Sequence, residues 1–255
     1  LDMMIQAYAI AENKEVLTPV MVNLDGFVLT HTYELVEVPS QEAVDAFLPP
    51  FETENKLDFE NPKNMCFSSS PGDNMEFKYQ QHRAAAKAAE VIKEVDEMYH
   101  KKFGRGSGGL VDGYRCEDAE IILVTLGSIT GTCRVVADEL RREGKKVGVL
   151  KIRFMRPFPE KEIIDITRGA KVVGVLEKDI SFGYEGTVYT NVNSALLKSG
   201  KPIQSYNFIA GLGGRDISKN DIKFMYTYLE EAANGVKKEY IKWINLGVDT
   251  DGEGN

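Results

Sequence analysis

Residues 120–142, EIILVTLGSITGTCRVVADELRR, decide how the rest of the chain is interpreted. Six of the seven residues at positions 121–127 are apolar or β-branched, which predicts a strand covered on both faces in a parallel sheet. The turn that follows is rich in Gly, Ser and Thr, and it leads into a helix in which Val135, Val136 and Leu140 recur at helical spacing. The stretch therefore predicts a β-loop-α unit.

The loop of this unit contains the candidate residues Gly127 and Ser128, and its backbone N–H groups at the start of a helix suit an anion. A dinucleotide fingerprint requires glycine at the third and sixth positions of the loop, which hold Ile129 and Thr132. About 20 residues further on, where the fingerprint needs an acid for the ribose, positions 151–153 read Lys-Ile-Arg. A tight turn that lets helix and sheet pack closely is therefore favoured over an NAD site.

The chain after this unit alternates between strand and helix patterns three more times. Strands are predicted at 145–154, 171–179 and 202–214, and helices at 156–169, at 184–200 and from an N-cap at Ser218 to about residue 233. Alternation with short turns predicts an α/β fold, in which helices cover both faces of a parallel sheet.

The sequence before residue 110 has fewer regular patterns. Helices are predicted at 1–12, 41–48 and 76–103, a strand at 19–24, a strand or extended loop at 27–38, and an irregular segment at 51–75. The glycine-rich segment 104–109 predicts a flexible hinge, with a domain boundary near Gly109. The first residue is not Met, and a helix that starts there without a cap predicts that preceding sequence was removed or lies on a separate chain.

Composition limits the class of protein. The formal net charge of −8 disfavours a nucleic-acid or anionic-membrane surface, because both need a local excess of Lys and Arg. No apolar run reaches the roughly 18 residues of a membrane span. Cys66, Cys116 and Cys133 are too far apart for a CxxC metal site or an iron–sulfur ligand run. Their odd number and wide spacing predict a reducing, cytoplasmic compartment.

Charged residues at the carboxyl ends of the predicted strands are candidate functional residues, because parallel sheets carry their binding loops there. These candidates are Arg156, Glu177, Asp179, Glu185, Arg215 and Asp216. A solvated or subunit-facing rim of salt bridges is favoured over a convergent site. His31 is the best titratable candidate before residue 110, with a structural histidine bonded to backbone as the favoured alternative. The GxSxG and HExxH motifs are missing.

Four segments together resemble the alpha subunit of thiamine-diphosphate-dependent 2-oxoacid:ferredoxin oxidoreductases, above all pyruvate:ferredoxin oxidoreductase. The segments are DMMIQAYAIAE with PVMVNLDGFVLTHTYE (2–12 and 19–34), AEIILVTLGSITGT (119–132), GKKVGVLKIRFMRPFP (144–159) and FIAGLGGRDIS (208–218). The resemblance implies that the chain is the C-terminal two-thirds of that subunit. It assigns residues 1–109 to the back end of a pyrimidine-binding domain with a long linking helix, 118–235 to a transketolase-C-terminal-like domain, and 236–255 to a tail.

The resemblance implies that the family's substrate-contacting threonine and its cofactor-activating glutamate lie in a stretch that precedes residue 1. No catalytic, cofactor-binding or metal residue is therefore carried over to this chain. The resemblance implies thiamine diphosphate, Mg²⁺, [4Fe–4S] clusters and coenzyme A in the assembled complex, with none of them expected to be ligated by this chain alone.

The implied function is reversible, CoA-dependent oxidative decarboxylation of a 2-oxoacid, foremost pyruvate, with electrons passed to ferredoxin. The implied partners are a thiamine-diphosphate-binding beta, a CoA-binding gamma and a ferredoxin-like delta subunit, the missing N-terminal part, and ferredoxin. Two alternatives stay open: a relative acting on 2-oxoglutarate, a branched-chain or aryl 2-oxoacid or oxalate, and a non-catalytic assembly module. A subunit or domain interface is predicted for the loop with Gly211, Gly213, Gly214, Arg215 and Asp216.

Overall fold

The chain divides into two units, and the described residues of the first unit form four helices. The computed structural model describes residues 1–66, 68–201 and 203–247, and the units are Leu1–Leu110 and Val111–Asn255. The helices of the first unit are α1 (Asp2–Ala11), α2 (Val28–His31), α3 (Gln41–Asp45) and α4 (Pro71–Phe103). Parts of the predicted irregular segment, last strand and tail lie outside the described residues, at Phe67, Pro202 and 248–255.

Helix α4 has capping signals at both ends. The Ser70 hydroxyl accepts a hydrogen bond of 3.3 Å from the backbone N–H of Asp73, and Pro71 occupies the first turn, where a missing N–H costs nothing. Because of this start, α4 begins at residue 71 rather than at the predicted 76. Gly104 ends the helix in the left-handed conformation, with φ 70°.

Residues 104–109, which follow α4, were predicted to be a flexible hinge, but three of them are hydrogen-bonded to that helix. The carboxylate of Asp96, a buried residue of α4, accepts hydrogen bonds from three successive backbone N–H groups, those of Ser107 (3.1 Å), Gly108 (2.9 Å) and Gly109 (3.0 Å). Glycines let the backbone curl around one carboxylate in this way. The segment is therefore attached to the helix that precedes it.

The strand predicted at residues 19–24 is wrong, and so is the strand alternative at 28–31. Residues 17–26 and 32–40 have no regular structure, and 28–31 form α2. Met21 and Leu24 are 82% and 70% exposed. An apolar run becomes a strand only beside another strand, and the described residues of this unit supply none.

Six strands form one sheet in the second unit. They are β1 (Val111–Tyr114), β2 (Ile121–Thr125), β3 (Val147–Ile152), β4 (Val172–Glu177), β5 (Gln204–Ile209) and β6 (Ile241–Trp243), in the order β1-β3-β2-β4-β5-β6. Strands β2 to β6 are parallel, which confirms the predicted parallel sheet. The antiparallel β1 and the short β6 were not predicted, because 4 and 3 residues are too few to show a period.

Helices cover both faces of this sheet, as predicted. Helices α5 (Ile129–Arg142) and α8 (Lys219–Ala233) pack together on one face, and α6 (Glu160–Thr167) and α7 (Thr187–Lys198) pair on the other. The first face holds a core of buried side chains that includes Leu123, Val136 and Leu229. The predicted cap of the last helix is confirmed, since Ser218 and Asp221 form a reciprocal capping box.

Candidate functional site

The carboxyl ends of β2 and β4 meet where the strand order of the sheet reverses. From β2 the chain crosses to β3 on one side, and the following strand, β4, lies on the other side of β2. In open parallel sheets a crevice forms at this point, because the two loops leave in opposite directions. The loops here, residues 126–128 and 178–186, contain the predicted candidates Gly127, Ser128 and Asp179.

The loop after β2 is closed by its own hydrogen bonds. The Thr130 hydroxyl donates to the carbonyl oxygen of Gly127 at 2.9 Å and lies 3.0 Å from the Thr125 hydroxyl. Gly127 has a φ of 71°, which favours glycine, and Ser128 starts α5 without a side-chain cap. This geometry favours the tight-turn interpretation of the loop.

The loop after β4 is organised around the carboxylate of Glu177, the last residue of that strand and only 3% exposed. Its oxygens accept hydrogen bonds from the backbone N–H groups of Val188 (2.8 Å) and Tyr189 (3.1 Å) in the first turn of α7. A third bond comes from the side-chain amide of Asn207 on β5 (2.7 Å). Glu177 thus caps a helix whose own N-cap residue, Gly186, has no side chain to do so.

Glycine at position 186 allows this close approach. A Cβ on Gly186 would lie 2.0 Å from Oε1 of Glu177, far inside van der Waals contact. The backbone N–H of Gly186 donates to Oδ1 of Asn207 at 2.9 Å, so Asn207 bonds both the carboxylate and the loop. Glu177, Gly186 and Asn207 therefore form one buried polar network under the start of α7.

Asp179 extends this network toward the surface. Its Oδ1 accepts a hydrogen bond of 3.1 Å from the backbone N–H of Thr187, next to the N–H of Val188 that donates to Glu177. Burial, and then the neighbouring carboxyl group of Asp179, raise the pKa of Glu177 to about 7. Partial burial acts to raise the pKa of Asp179, but the neighbouring Glu177 and the hydrogen bonds from Thr187 prevail and lower it.

The remaining predicted rim residues bond to neighbours of their own. Arg156 donates to Oδ1 of Asn191 at 3.2 Å, and Glu185 accepts from the Thr190 hydroxyl at 2.9 Å. Glu177, predicted for the rim, is buried beneath α7 instead. Of the six charged candidates, the structure brings together Glu177 and Asp179, which both accept hydrogen bonds from backbone N–H groups at the start of α7.

The glycine-rich loop after β5 bonds to the chain that follows β6. Gly211, Gly213 and Gly214 all have positive φ, at 75°, 65° and 84°. Arg215 donates to the carbonyl oxygen of Asn245 at 2.5 Å, and the Asn245 side-chain amide donates to the Asp216 carbonyl at 3.5 Å. The predicted interface role of this loop stays a prediction.

His31 lies in the first unit, at the end of α2. Its Nδ1 is 2.8 Å from the carbonyl oxygen of Phe27, and the two rings lie 4.9 Å apart between centroids. The side chain is exposed and takes part in a local backbone contact. The geometry favours the interpretation of His31 as a structural histidine.

Sequence reasoning missed Asn207 and Gly186. Asn207 is fully buried in the strand sequence SYNFI, and a lone amide inside an apolar strand is a signal for a buried polar network. Gly186 carries no such signal, because the need for glycine comes from a side chain nine positions earlier on another element.

The described residues contain no group of three or more His, Cys, Asp or Glu side chains that could hold a metal ion. Burial raises the pKa of the Cys116 thiol to about 11 and that of Cys133 to about 12, so neither is a ready thiolate ligand. Within the same part of the chain, no helix has the length and apolarity needed to cross a membrane.

Two family models match the chain. The model of the thiamine-diphosphate-binding domain of pyruvate flavodoxin/ferredoxin oxidoreductases matches residues 1–97, and that of core domain II of pyruvate:ferredoxin oxidoreductase matches residues 119–222. The chain belongs to the pyruvate:ferredoxin oxidoreductase family. The first of these matches lies within the first unit of the chain, and the second lies within the α/β unit.

Individual relatives agree with this family. The chain is 43% identical over 98% of its length to pyruvate synthase subunit PorA of Methanothermobacter thermautotrophicus, and 37% identical over 96% to ketoisovalerate oxidoreductase subunit VorA of Pyrococcus horikoshii. It spans 63% and 62% of these two relatives. A solved 2-oxoglutarate:ferredoxin oxidoreductase from Magnetococcus marinus is similar at 14% identity and a TM-score of 0.44, over 73% of this chain and 29% of that one.

Proposed function

We propose that this chain is part of one subunit of a multi-subunit pyruvate:ferredoxin oxidoreductase. In the proposed reaction, pyruvate and coenzyme A are converted reversibly to acetyl-CoA and CO₂, and the electrons pass to ferredoxin. The observation that carries the proposal is the 43% identity to a pyruvate synthase subunit over 98% of the chain. The proposed setting is the cytoplasm.

The preference for pyruvate rests on a difference between relatives. The pyruvate synthase subunits are 41–43% identical to this chain, and the ketoisovalerate oxidoreductase subunits are 37% identical. A branched-chain 2-oxoacid is therefore the second candidate substrate. Anaerobic assays of the purified complex with pyruvate, 2-oxoisovalerate and 2-oxoglutarate test this order, and we expect kcat/KM for pyruvate to exceed the others by about tenfold or more. A higher kcat/KM for the branched-chain substrate would reverse the assignment.

We propose the predicted division of the chain as its domain organisation: 1–109, 118–235 and a tail at 236–255. The two family models, which match 1–97 and 119–222, support the first two parts. In this organisation, the α/β part contributes a rigid sheet and its loops, while the first part contributes a segment of the cofactor-binding domain.

Thiamine diphosphate fits the family, since the model that matches residues 1–97 is that of a domain that binds it. The accompanying Mg²⁺ needs oxygen ligands, and these residues include no metal-binding cluster of acids. The two half-buried or buried thiols are poor cluster ligands, and Cys66 lies alone in the first unit. We propose that Mg²⁺, [4Fe–4S] clusters and coenzyme A bind to partner subunits or to other parts of this subunit.

Exposed apolar side chains in the first unit support contact with partner subunits. Tyr33 and Leu35 are fully exposed, and Phe27 and Val38 are 77% and 70% exposed. Side chains of this kind along one continuous segment are typical of an interface surface. The partners we propose are the beta, gamma and delta subunits and the part of the alpha subunit that precedes residue 1.

Native mass spectrometry of the complex purified anaerobically from its source tests the function as a whole. We expect this chain in one assembly with thiamine diphosphate and with subunits that carry iron–sulfur clusters. A colourless monomer without cofactor, inactive with every 2-oxoacid, would support the alternative of a non-catalytic assembly module.

A further inference from the structure

Strand β6 lies at one edge of the sheet, and among the described strands it pairs with β5 alone. Two hydrogen bonds fix how it sits there. The backbone N–H of Asn207 donates to the carbonyl oxygen of Tyr240 at 2.7 Å. The N–H of Ile244 donates to the carbonyl oxygen of Ile209 at 2.9 Å. Residues at both ends of β6 therefore direct peptide groups toward β5.

Two residues of β6 direct their backbone groups to the open side. Peptide groups alternate in direction along a strand, so Ile241 and Trp243 point their N–H and C=O groups away from β5, while Lys242 points toward it. In the described part of the chain, neither Ile241 nor Trp243 has a hydrogen bond to these groups. An open edge of this kind is a template for another strand.

A groove with aromatic walls lies beside this open edge. Its volume is about 270 Å³, and it is lined by Asp221 and Phe224 of α8 and by residues 242–245. Phe224 is 47% exposed and Trp243 is 38% exposed. A segment that pairs with β6 would direct every second side chain to the face of the sheet on which the groove lies. The groove therefore suits one large apolar side chain of such a segment.

The charge at the centre of β6 indicates which kind of segment fits. Lys242 is paired with Phe208, whose ring lies 5.6 Å from that of Tyr228 on α8, so the Lys242 side chain is on the same face as the groove. Its ammonium is 3.8 Å from the carboxylate of Glu239, which is 76% exposed. A carboxylate on the opposing strand would pair with Lys242.

A second copy of this chain fits the edge poorly. Antiparallel pairing of two copies over the whole of β6 would place Lys242 directly opposite Lys242 of the other copy. Like charges directly opposite each other destabilise a pair of strands. The occupant is therefore a different, acidic segment.

We propose that the open edge of β6 pairs with an extended strand of a partner subunit, with an acid opposite Lys242 and a large apolar side chain in the groove beside Phe224. The inference rests on the proposed function, because it needs a multi-subunit assembly. Pairing would satisfy the backbone groups of Ile241 and Trp243 and continue the sheet into the partner subunit.

Residue-resolved hydrogen–deuterium exchange of the purified, active complex tests the pairing. The N–H groups of Lys242 and Ile244 are used within the sheet and should be protected with or without a partner. Those of Ile241 and Trp243 should exchange at least about tenfold more slowly in the complex than in the isolated chain. Unchanged exchange at Ile241 and Trp243 in an active complex would overturn the inference and leave the proposed function intact. An inactive monomer as the only species would overturn both.

Ile241→Pro tests the same edge by assembly. Proline lacks the N–H that faces the open side and leaves the bonds to β5 in place, so the fraction of this chain in the complex should fall about tenfold or more. Ile241→Ala shortens the same side chain but keeps the N–H, and it should assemble like the wild type. Equal assembly of the two variants, as measured by native mass spectrometry, would overturn the inference.

Carbodiimide cross-linking of the complex identifies the occupant, because it joins an ammonium to a carboxylate in direct contact. The expected product joins Lys242 to an Asp or Glu of another subunit. Isotope-labelled and unlabelled copies of this chain, mixed before assembly, distinguish a second copy. Links from Lys242 to acids of its own chain or of a second copy alone would overturn the assignment to a partner subunit.

Discussion

Two apolar stretches, one in each unit, differ in secondary structure and in burial. Residues 121–125, IILVT, form β2, and every side chain in it is at most 8% exposed. Residues 19–24, PVMVNL, have no regular structure, and Met21 is 82% exposed. The two stretches differ in their neighbours, since β2 has a strand on each side and lies in a sheet that helices cover on both faces. Both stretches are apolar and would be expected to be buried, but among the described residues only 121–125 are covered by neighbouring elements.

The largest effect should come from the centre of the covered stretch. Leu123→Ala removes a side chain with 0% exposure and should lower the free energy of unfolding of the second unit by about 2–5 kcal/mol. Urea unfolding followed by fluorescence of Trp243, the single tryptophan, measures this unit. Leu197→Ala, the same change at a side chain that is 84% exposed, is the matched control. Equal effects of the two substitutions would contradict the contrast between buried and exposed leucines.

A smaller loss of stability should follow from a substitution that crowds the buried network of Glu177, Gly186 and Asn207. Gly186→Ala places a methyl group 2.0 Å from Oε1 of Glu177 and should cost about 1–3 kcal/mol in the same unfolding experiment. In a Glu177→Ala background the methyl group has room, so the two substitutions should couple by about 1 kcal/mol or more. Gly131→Ala, whose added Cβ meets nothing within 4 Å, should be close to neutral. Additive effects of Gly186→Ala and Glu177→Ala would show that the close approach is unimportant.

In the first unit, the Asp96 carboxylate binds the backbone of residues 107–109, and Asp96→Asn tests this contact. An asparagine has an NH₂ group where one carboxylate oxygen accepts hydrogen bonds, so the substitution should cost about 1–2 kcal/mol. We expect faster amide exchange at Ser107 and Gly108, which donate to Asp96, and little change for the exposed neighbour control Glu97→Gln. Unchanged exchange in Asp96→Asn would mean that residues 104–109 behave as the flexible hinge predicted from their glycines.

The smallest effect on stability should come from residues 32–40 of the first unit, which like 19–24 have no regular structure. Leu35→Ala alters a fully exposed side chain and should change the unfolding free energy of the chain by no more than about 0.5 kcal/mol. If partner subunits cover this segment, the same variant should assemble less completely, as native mass spectrometry of the complex would show. A large loss of stability in the isolated chain, with normal assembly, would mean that Leu35 packs within its own unit.

Local signals predicted much of the second unit. The order of its helices and four inner strands follows from hydrophobic periodicity, and the start of α8 follows from Ser218 as a cap. The short β1 and β6 gave no such signal, and in the first unit the same apolar signal gave a wrong strand at 19–24. Periodicity reports which side chains need cover, but it does not show what covers them.

The candidate site was also predictable only in part. Its loops could be placed from sequence, because parallel strands bring their carboxyl ends to one edge, and Glu177 and Asp179 were among the candidates. The burial of Glu177 and the roles of Asn207 and Gly186 were not predictable, since they depend on which strand lies beside β4.

The sequence by itself determined the fold class, the cap of α8 and the family, because these depend on local periodicity and on motifs along the chain. The tertiary structure alone decided that a strand-end glutamate would cap α7 from another element. It also decided that Asp96 would fix a glycine-rich segment. Both contacts join groups that only folding brings together, and their strength depends on the burial that folding provides.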